Sequence, residues 1–188
     1  MPLARKEDQT YTYKDYITWN DGERWELIEG IAYNMTPAPL RSHQKISMEL
    51  STQIHHHLKN KSCEVYSAPF DVRLPVGKEK EEDITTIIQP DISVICNKKK
   101  LDERGCRGAP DLIIEIVSPS SATRDLKDKF QLYEKHGVKE YWIILENVRI
   151  VEIYILHKKE YGKPLIFSFE DLISGKLFKD MIISLRDV

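Results

Sequence analysis

Between Leu112 and Val117 the chain reads Leu-Ile-Ile-Glu-Ile-Val, an apolar run broken by a single acid. A run this short and this apolar suggests a strand covered on both faces. Such a strand belongs in the middle of a sheet, with layers packed on either side. An ionised Glu115 in that position is costly unless a metal or a positive partner compensates it. Period-two alternation places Glu115 on the face that carries Ile113 and Val117.

A second acid opens a second strand. Asp91 follows Pro90 and leads into Ile92-Ser93-Val94-Ile95, a run of strand composition. Ser118-Pro119-Ser120-Ser121 ends the first strand and offers hydroxyl caps for a helix. That helix is expected from about Ala122 to about His136, with Gly137 as its C-terminal stop. At about 100° per residue, Ala122, Leu126, Phe130 and Tyr133 form its apolar arc, with Leu132 at the edge. Lys129 projects inside the arc, toward the sheet that holds Glu115, and Asp125 lies one turn earlier on the same side.

Two acids and a lysine converging at a strand end suit metal-assisted hydrolysis. Hard oxygen ligands with few protein contacts suit Mg2+ or Mn2+. Such an ion offsets charge on a phosphoryl oxygen and lowers the pKa of a bound water, while a lysine positions that water or stabilises developing negative charge. A purely structural Asp125–Lys129 pair at i,i+4, with Glu115 capping a buried network, fits the same spacing. Spacing alone leaves both readings open.

The Pro90-Asp91 pair, the Glu115 strand, Ser-Pro-Ser and the string RDLKDKFQLYEKHGVKEYW together resemble the PD-(D/E)XK nuclease superfamily. More closely, they resemble the Uma-two family of putative restriction endonucleases. ERWELIEGIAYNMTPAPLRSHQKI is similar to that family's N-terminal pattern, so the resemblance covers most of the chain. It implies a restriction-endonuclease-like core, in which the sheet splays where the acids meet. It also implies that Asp91 is the first acid, Glu115 the second, and Lys129 the lysine, carried here by the following helix because Val117 stands at the usual place. Asp91, Glu115 and the main-chain carbonyl of Ile116 are then the expected metal ligands. Relatives usually carry an acid where Leu145 stands here, next to Glu146.

Two secondary candidates follow. Glu26 falls between Trp25 and Leu27 on an expected strand, where alternation alone reads it as an exposed acid. The resemblance instead puts an acid of this string close to the site. His43 begins an expected helix from about His43 to Lys59, capped by Ser42, with Ile46, Leu50, Ile54 and Leu58 as its apolar arc. Most inward histidines are satisfied core residues, but His43 at the helix start can face the site and hydrogen-bond a phosphate. His55-His56-His57 cannot cluster on one face, because consecutive helix positions point apart.

The 188 residues suit one domain spanning 1–188, and a net charge of −2 lacks the global basic signature of many nucleic-acid binders. A groove can still be locally basic. Lys98, Lys99, Lys100, Arg104 and Arg107 form the most basic stretch, which phosphate contact and plain solvation explain equally well. Cys63, Cys96 and Cys106 lack disulfide-like or zinc-like spacing and read as free thiols of a reducing cytoplasm. No apolar run approaches about 18 residues and no signal peptide is visible.

A short helix at Thr12–Trp19, the long helix after Ser42, a hairpin at Trp25–Met35, a strand at Cys63–Leu74 interrupted at Ala68-Pro69, and strands at Glu140–Leu145, Ile150–His157, Leu165–Phe169 and Met181–Leu185 complete the pattern. The fold class is α/β, as an α+β mixed sheet with flanking helices and a C-terminal antiparallel extension. The leading function is a metal-dependent endonuclease acting on DNA, cytoplasmic and not membrane-bound, with a homodimer by analogy with nucleases that cut both strands. A catalytically inactive module of the same fold, binding nucleic acid or protein, is the alternative. The same metal chemistry also allows a hydrolase of other phosphoesters.

Overall fold

The computed structural model describes residues 9–35, 38–118 and 124–188; side chains 124 and 125 are not among those described. The start expected for the second long helix, the Ser120-Ser121 caps, the Asp125 pair, the Thr36-Pro37 loop and most of the N-terminal tail fall outside the described residues.

Thr12 and Asp15 open the described chain with a capping box, in which the Thr12 N–H and hydroxyl both donate to Asp15 Oδ2, at 2.9 and 3.0 Å. The helix they start, α1 (Tyr13–Tyr16), stops short of Trp19. β1 (Trp25–Ile28) and β2 (Ile31–Asn34) form a hairpin through Glu29 and Gly30, both at positive φ. The long helix α2 (Arg41–Leu58) starts two residues earlier than expected, with Leu40 rather than Ser42 at its N-cap. Its inward face is the expected one, with Ile46, Leu50, Ile54 and Leu58 all buried.

β3 (Glu64–Ser67) and β4 (Val72–Arg73) are separated by a cis Ala68–Pro69 bond, and they enter different sheets. The next pair repeats that crossing. β5 (Ile87–Ile88) lies in one sheet and β6 (Ile92–Ile95) in the other, so Gln89-Pro90-Asp91 is a bridge between them. The basic stretch folds partly as a small hairpin, β7 (Leu101–Asp102) and β8 (Gly105–Arg107). Three of its five cations are engaged within the fold: Lys98 pairs with Glu64, Lys100 donates to the Ala109 carbonyl, and Arg107 donates to that of Glu79.

β9 (Leu112–Val117) is buried at every position. It runs antiparallel to β6 and parallel to β10 (Glu140–Leu145). β11 (Ile150–His157) continues the sheet, and β12 (Glu160–Tyr161) and β13 (Leu165–Ser168) both pair with it. β14 (Leu172–Ile173) and β15 (Ile183–Ser184) close the C-terminal extension as a separate pair. One sheet thus has seven strands, with the order β12-β11-β10-β9-β6-β3 and β13 beside β11. The other has six, with the order β2-β1-β5-β4-β8-β7.

The alternation of β9 divides the core. Leu112, Ile114 and Ile116 face α2 and the C-terminal segment, together with Ile92, Trp142 and Phe169. Ile113 and Val117 face the other way, onto Val72, Ile88, Leu132 and Tyr133. Each such aliphatic side chain contributes about 1.5–3 kcal/mol by leaving water. Glu115, on the second face, is enclosed by the same packing.

The helix after β9 departs from regular winding. Arg124–Lys129 is π-wound and α3 (Phe130–His136) is α-helical, ending at Gly137 with φ 82°. A wider turn advances each residue by less than 100°, so the phase expected for Leu126 fails: it is exposed, outside the apolar arc. Phe130, Tyr133 and Leu132, beyond the π turn, pack as expected.

Two further expectations are overturned. Cys63 and Cys96 form a disulfide, leaving Cys106 free and buried. The register explains the pairing: Glu64 lies opposite Ile95, so the residues one step beyond are cross-strand neighbours. The cysteines therefore give no argument for a reducing compartment. Glu26 is not an exposed strand acid but fully buried.

The C-terminal extension is anchored on one carboxylate. Buried Glu140 accepts from Trp142 Nε1 at 2.7 Å, and from the N–H groups of Lys176 and Leu177 at 2.8 Å each. A Cβ on Gly175 would lie 1.8 Å from Glu140 Oε1. Gly175→Ala is expected to displace that carboxylate and cost about 1–3 kcal/mol, read as a lower urea midpoint at unchanged slope. A midpoint within error of wild type would show that the turn yields instead.

Candidate active site at the seam of two sheets

β6 and β9 pair from Ile92↔Ile114 inward and separate beyond it. Where the ladder stops, each acid takes over a main-chain donor of the opposite strand. Asp91 Oδ2 accepts from the Ile116 N–H at 2.8 Å, and Glu115 Oε2 lies 3.5 Å from the Asp91 nitrogen. The splay is thus held open by the two carboxylates, which satisfy main-chain groups that would otherwise be buried without partners.

Glu26 reaches the same place from the other sheet. Its Oε1 accepts from the Gln89 N–H at 2.9 Å, on the bridge that leads to Asp91. Lys129 closes the gap, with Nζ 3.0 Å from Glu115 Oε1 and 3.1 Å from Glu26 Oε1. All three side chains are at most 5% exposed. One ammonium therefore ties an acid of the seven-stranded sheet to an acid of the six-stranded sheet. Burial strengthens this attraction but carries a desolvation cost for each charge, so the cluster's net contribution to stability is small.

His43 completes the set from the first turn of α2. Its Nε2 lies 3.2 Å from Asp91 Oδ2, and because a carboxylate can only accept, the imidazole is the donor. Asp91 and His43 are the open side of the cluster, at 21% and 12% side-chain exposure. The fold thus brings Asp91, Glu115, Lys129, Glu26 and His43 together, including both secondary candidates. Leu145 ends β10 opposite Val117 and packs against the core.

Tyr133 also belongs to the cluster, and the sequence reading assigned it to packing alone. Its hydroxyl donates to Glu115 Oε1 at 2.6 Å. Complete burial, and then the charge on Glu115, hold its pKa well above 10. Its i,i+4 spacing from Lys129 was the available signal, because those positions share a helix face.

A polar network backs Glu26. Gln89 Nε2 donates to Asp71 Oδ1 at 2.9 Å, Tyr16 OH donates to the same oxygen at 3.1 Å, and Arg24 Nη2 donates to Gln89 Oε1 at 2.5 Å. Burial raises the pKa of Asp71, and burial followed by the Asp71 charge raises that of Tyr16.

Among the described residues, no group of three or more His, Cys, Asp or Glu side chains could hold a metal ion. Asp91 and Glu115 supply carboxylate oxygen at adjoining strand ends, a donor set that fits a hard cation retaining several waters. The Ile116 N–H is directed at Asp91. In an extended strand a residue's carbonyl leaves on the same side as its N–H, so the Ile116 carbonyl belongs to that gap as well.

Known proteins place this geometry in context. An uncharacterized protein of Synechocystis sp. is 26% identical over 159 residues, which are 84% of this chain and 79% of that protein. A crystal structure described as that of a putative nuclease from Anabaena variabilis aligns with TM-score 0.73 at 21% identity, covering 94% of this chain and 96% of that one. This likeness shows a mixed α+β fold of the restriction-endonuclease-like kind. Residues 12–186 match the family model Uma2, whose description is "Putative restriction endonuclease". The chain belongs to the Uma2 family.

Proposed function

We propose that this protein is a divalent-metal-dependent endonuclease that hydrolyses phosphodiester bonds in DNA. The observation that carries the reading is the convergence of Asp91, Glu115 and Lys129 where β6 and β9 separate. Membership of the family supports nuclease chemistry.

Asp91, Glu115 and the carbonyl of Ile116 would hold Mg2+ or Mn2+. When bound, such an ion offsets charge on a phosphoryl oxygen and makes water nucleophilic near neutral pH. The remaining work belongs to the chain. His43 and the Ile116 N–H fix the Asp91 carboxylate. Lys129 lies at hydrogen-bond distance from Glu115, where its ammonium orients the attacking water and stabilises developing negative charge. Glu26 holds the lysine from behind. The packed strands and α3 exclude bulk water from the Glu115 side, where these charges interact most strongly.

A cavity of about 360 Å³ opens at the start of α2, the helix that carries His43. It is lined by Arg41, Ser42, Lys45 and Arg149, with Glu146 and Phe169 on its other walls. Its cationic side, where Lys45 donates to the Asp187 carbonyl and Arg149 to that of Val188, suits the backbone of a nucleic acid. A homodimer and a cytoplasmic location belong to this reading through the substrate, since cutting both strands of a duplex calls for two sites. Among the described residues no helix is long and apolar enough to cross a membrane.

The enclosure of Glu115 by Lys129 and Tyr133 favours one competing reading, a nuclease fold retained only for binding. Calorimetric titration with Mg2+ or Mn2+ separates the two. Wild type is expected to bind with a dissociation constant that Glu115→Gln raises by about tenfold or more. No binding by wild type, with or without DNA, would give precedence to the binding module.

A further inference from the structure

We propose that Tyr133 is a positioning residue for Glu115, which it holds in the orientation that offers a carboxylate oxygen to the metal. The inference rests on the nuclease reading above and adds to it a residue outside the acid–acid–lysine set.

Two donors converge on one atom. Lys129 Nζ and Tyr133 OH approach Glu115 Oε1 at 3.0 and 2.6 Å, from successive turns of the same helix. A carboxylate held through one oxygen by two donors, one of them a locked phenol, loses rotation about its last torsion, a soft torsion in an unrestrained glutamate. The other oxygen, Oε2, is thereby kept on the Asp91 side, where the Asp91 nitrogen lies 3.5 Å away. The division of labour is spatial: Oε1 belongs to the helix and Oε2 to the strand gap.

Tyr133 is itself immobile. It is completely buried, and its ring meets that of Tyr141 edge to face at 4.9 Å, within a cluster that also includes Phe130, Tyr154 and Tyr161. Such packing fixes where the hydroxyl points. Lysine alone cannot give this directional constraint. Its ammonium is a flexible point charge that serves Glu26 as well as Glu115, whereas phenol offers one proton along one direction. Groups that orient a metal ligand in this way typically carry a tenfold to hundredfold share of affinity.

Tyr133→Phe keeps the ring and removes the donor. Tyr161→Phe is the matched control: its hydroxyl donates to the Val138 carbonyl at 2.9 Å, in the same aromatic cluster. Calorimetry with Mn2+ is expected to show about 10- to 100-fold weaker binding for Tyr133→Phe and unchanged binding for Tyr161→Phe. A crystal structure of metal-free Tyr133→Phe is expected to show Glu115 rotated away from its wild-type conformer. Wild-type affinity with Glu115 unmoved would overturn the proposal, as would equal loss in both variants, which marks a packing effect. Should wild type bind no divalent ion, the metal reading falls, and the Glu115 conformer alone decides the positioning role: displaced in the variant, it stands; unmoved, it is refuted.

Discussion

Asp91→Ala is expected to lower DNA cleavage by about a thousandfold or more while leaving the protein folded. If Asp91 holds the cation, its removal forfeits several kcal/mol of charge stabilisation in the transition state, and about 4 kcal/mol corresponds to three decades of rate. The structural cost is smaller. The Ile116 N–H and His43 each lose a partner, and an unpaired buried donor costs about 1–3 kcal/mol. The partial exposure of Asp91 lets water replace some of what is lost. Plasmid nicking with Mg2+ and Mn2+, beside a urea titration, reads both quantities. Cleavage at the wild-type rate by a folded Asp91→Ala protein would remove Asp91 from the site.

The second large effect is on stability. Lys129→Met is expected to lower the free energy of unfolding by about 3–5 kcal/mol, because it leaves Glu26 and Glu115 buried without their shared cation. The methionine stem fills the same channel, so the change reports lost charge pairing more than lost volume. Adding Glu26→Gln should recover part of the deficit, since one of the two uncompensated charges is then gone. Chemical denaturation of the single and double variants checks both points. A loss below about 1 kcal/mol in the single variant would mean that the cluster is hydrated or balanced by other groups.

Much of this site was legible because its signals are local. Glu115 stood out as one acid in an apolar strand, and β9 has the double burial its composition implied. Lys129 could be placed on the inward face because its α-helical phase with Tyr133 is preserved downstream of the π turn. Upstream of that turn the same periodicity misplaced Leu126, since a change of winding leaves no mark in the spacing of apolar residues. Glu26 was read as exposed because its partner Lys129 lies about a hundred residues away, on the helix that follows β9. The Cys63–Cys96 pair was hidden for a similar reason, as a separation of 33 residues becomes contact only through the register of β3 and β6. The division into two sheets was equally non-local: Pro69 and Pro90 mark the crossings, but a proline tells where a strand ends and not which sheet the chain enters next.

The bridging position of Lys129 has a mechanical consequence. Glu26 and Glu115 ride on separate sheets, so a slide or rotation of one against the other must lengthen at least one of the lysine's two contacts. The cluster therefore works as a gauge of how the two halves of the molecule are seated. Core substitutions far from the seam, between Val72 and Ile113 or beneath β1, can detune it without touching a charged residue. Thermal softening of the interface would be felt there before either sheet came apart.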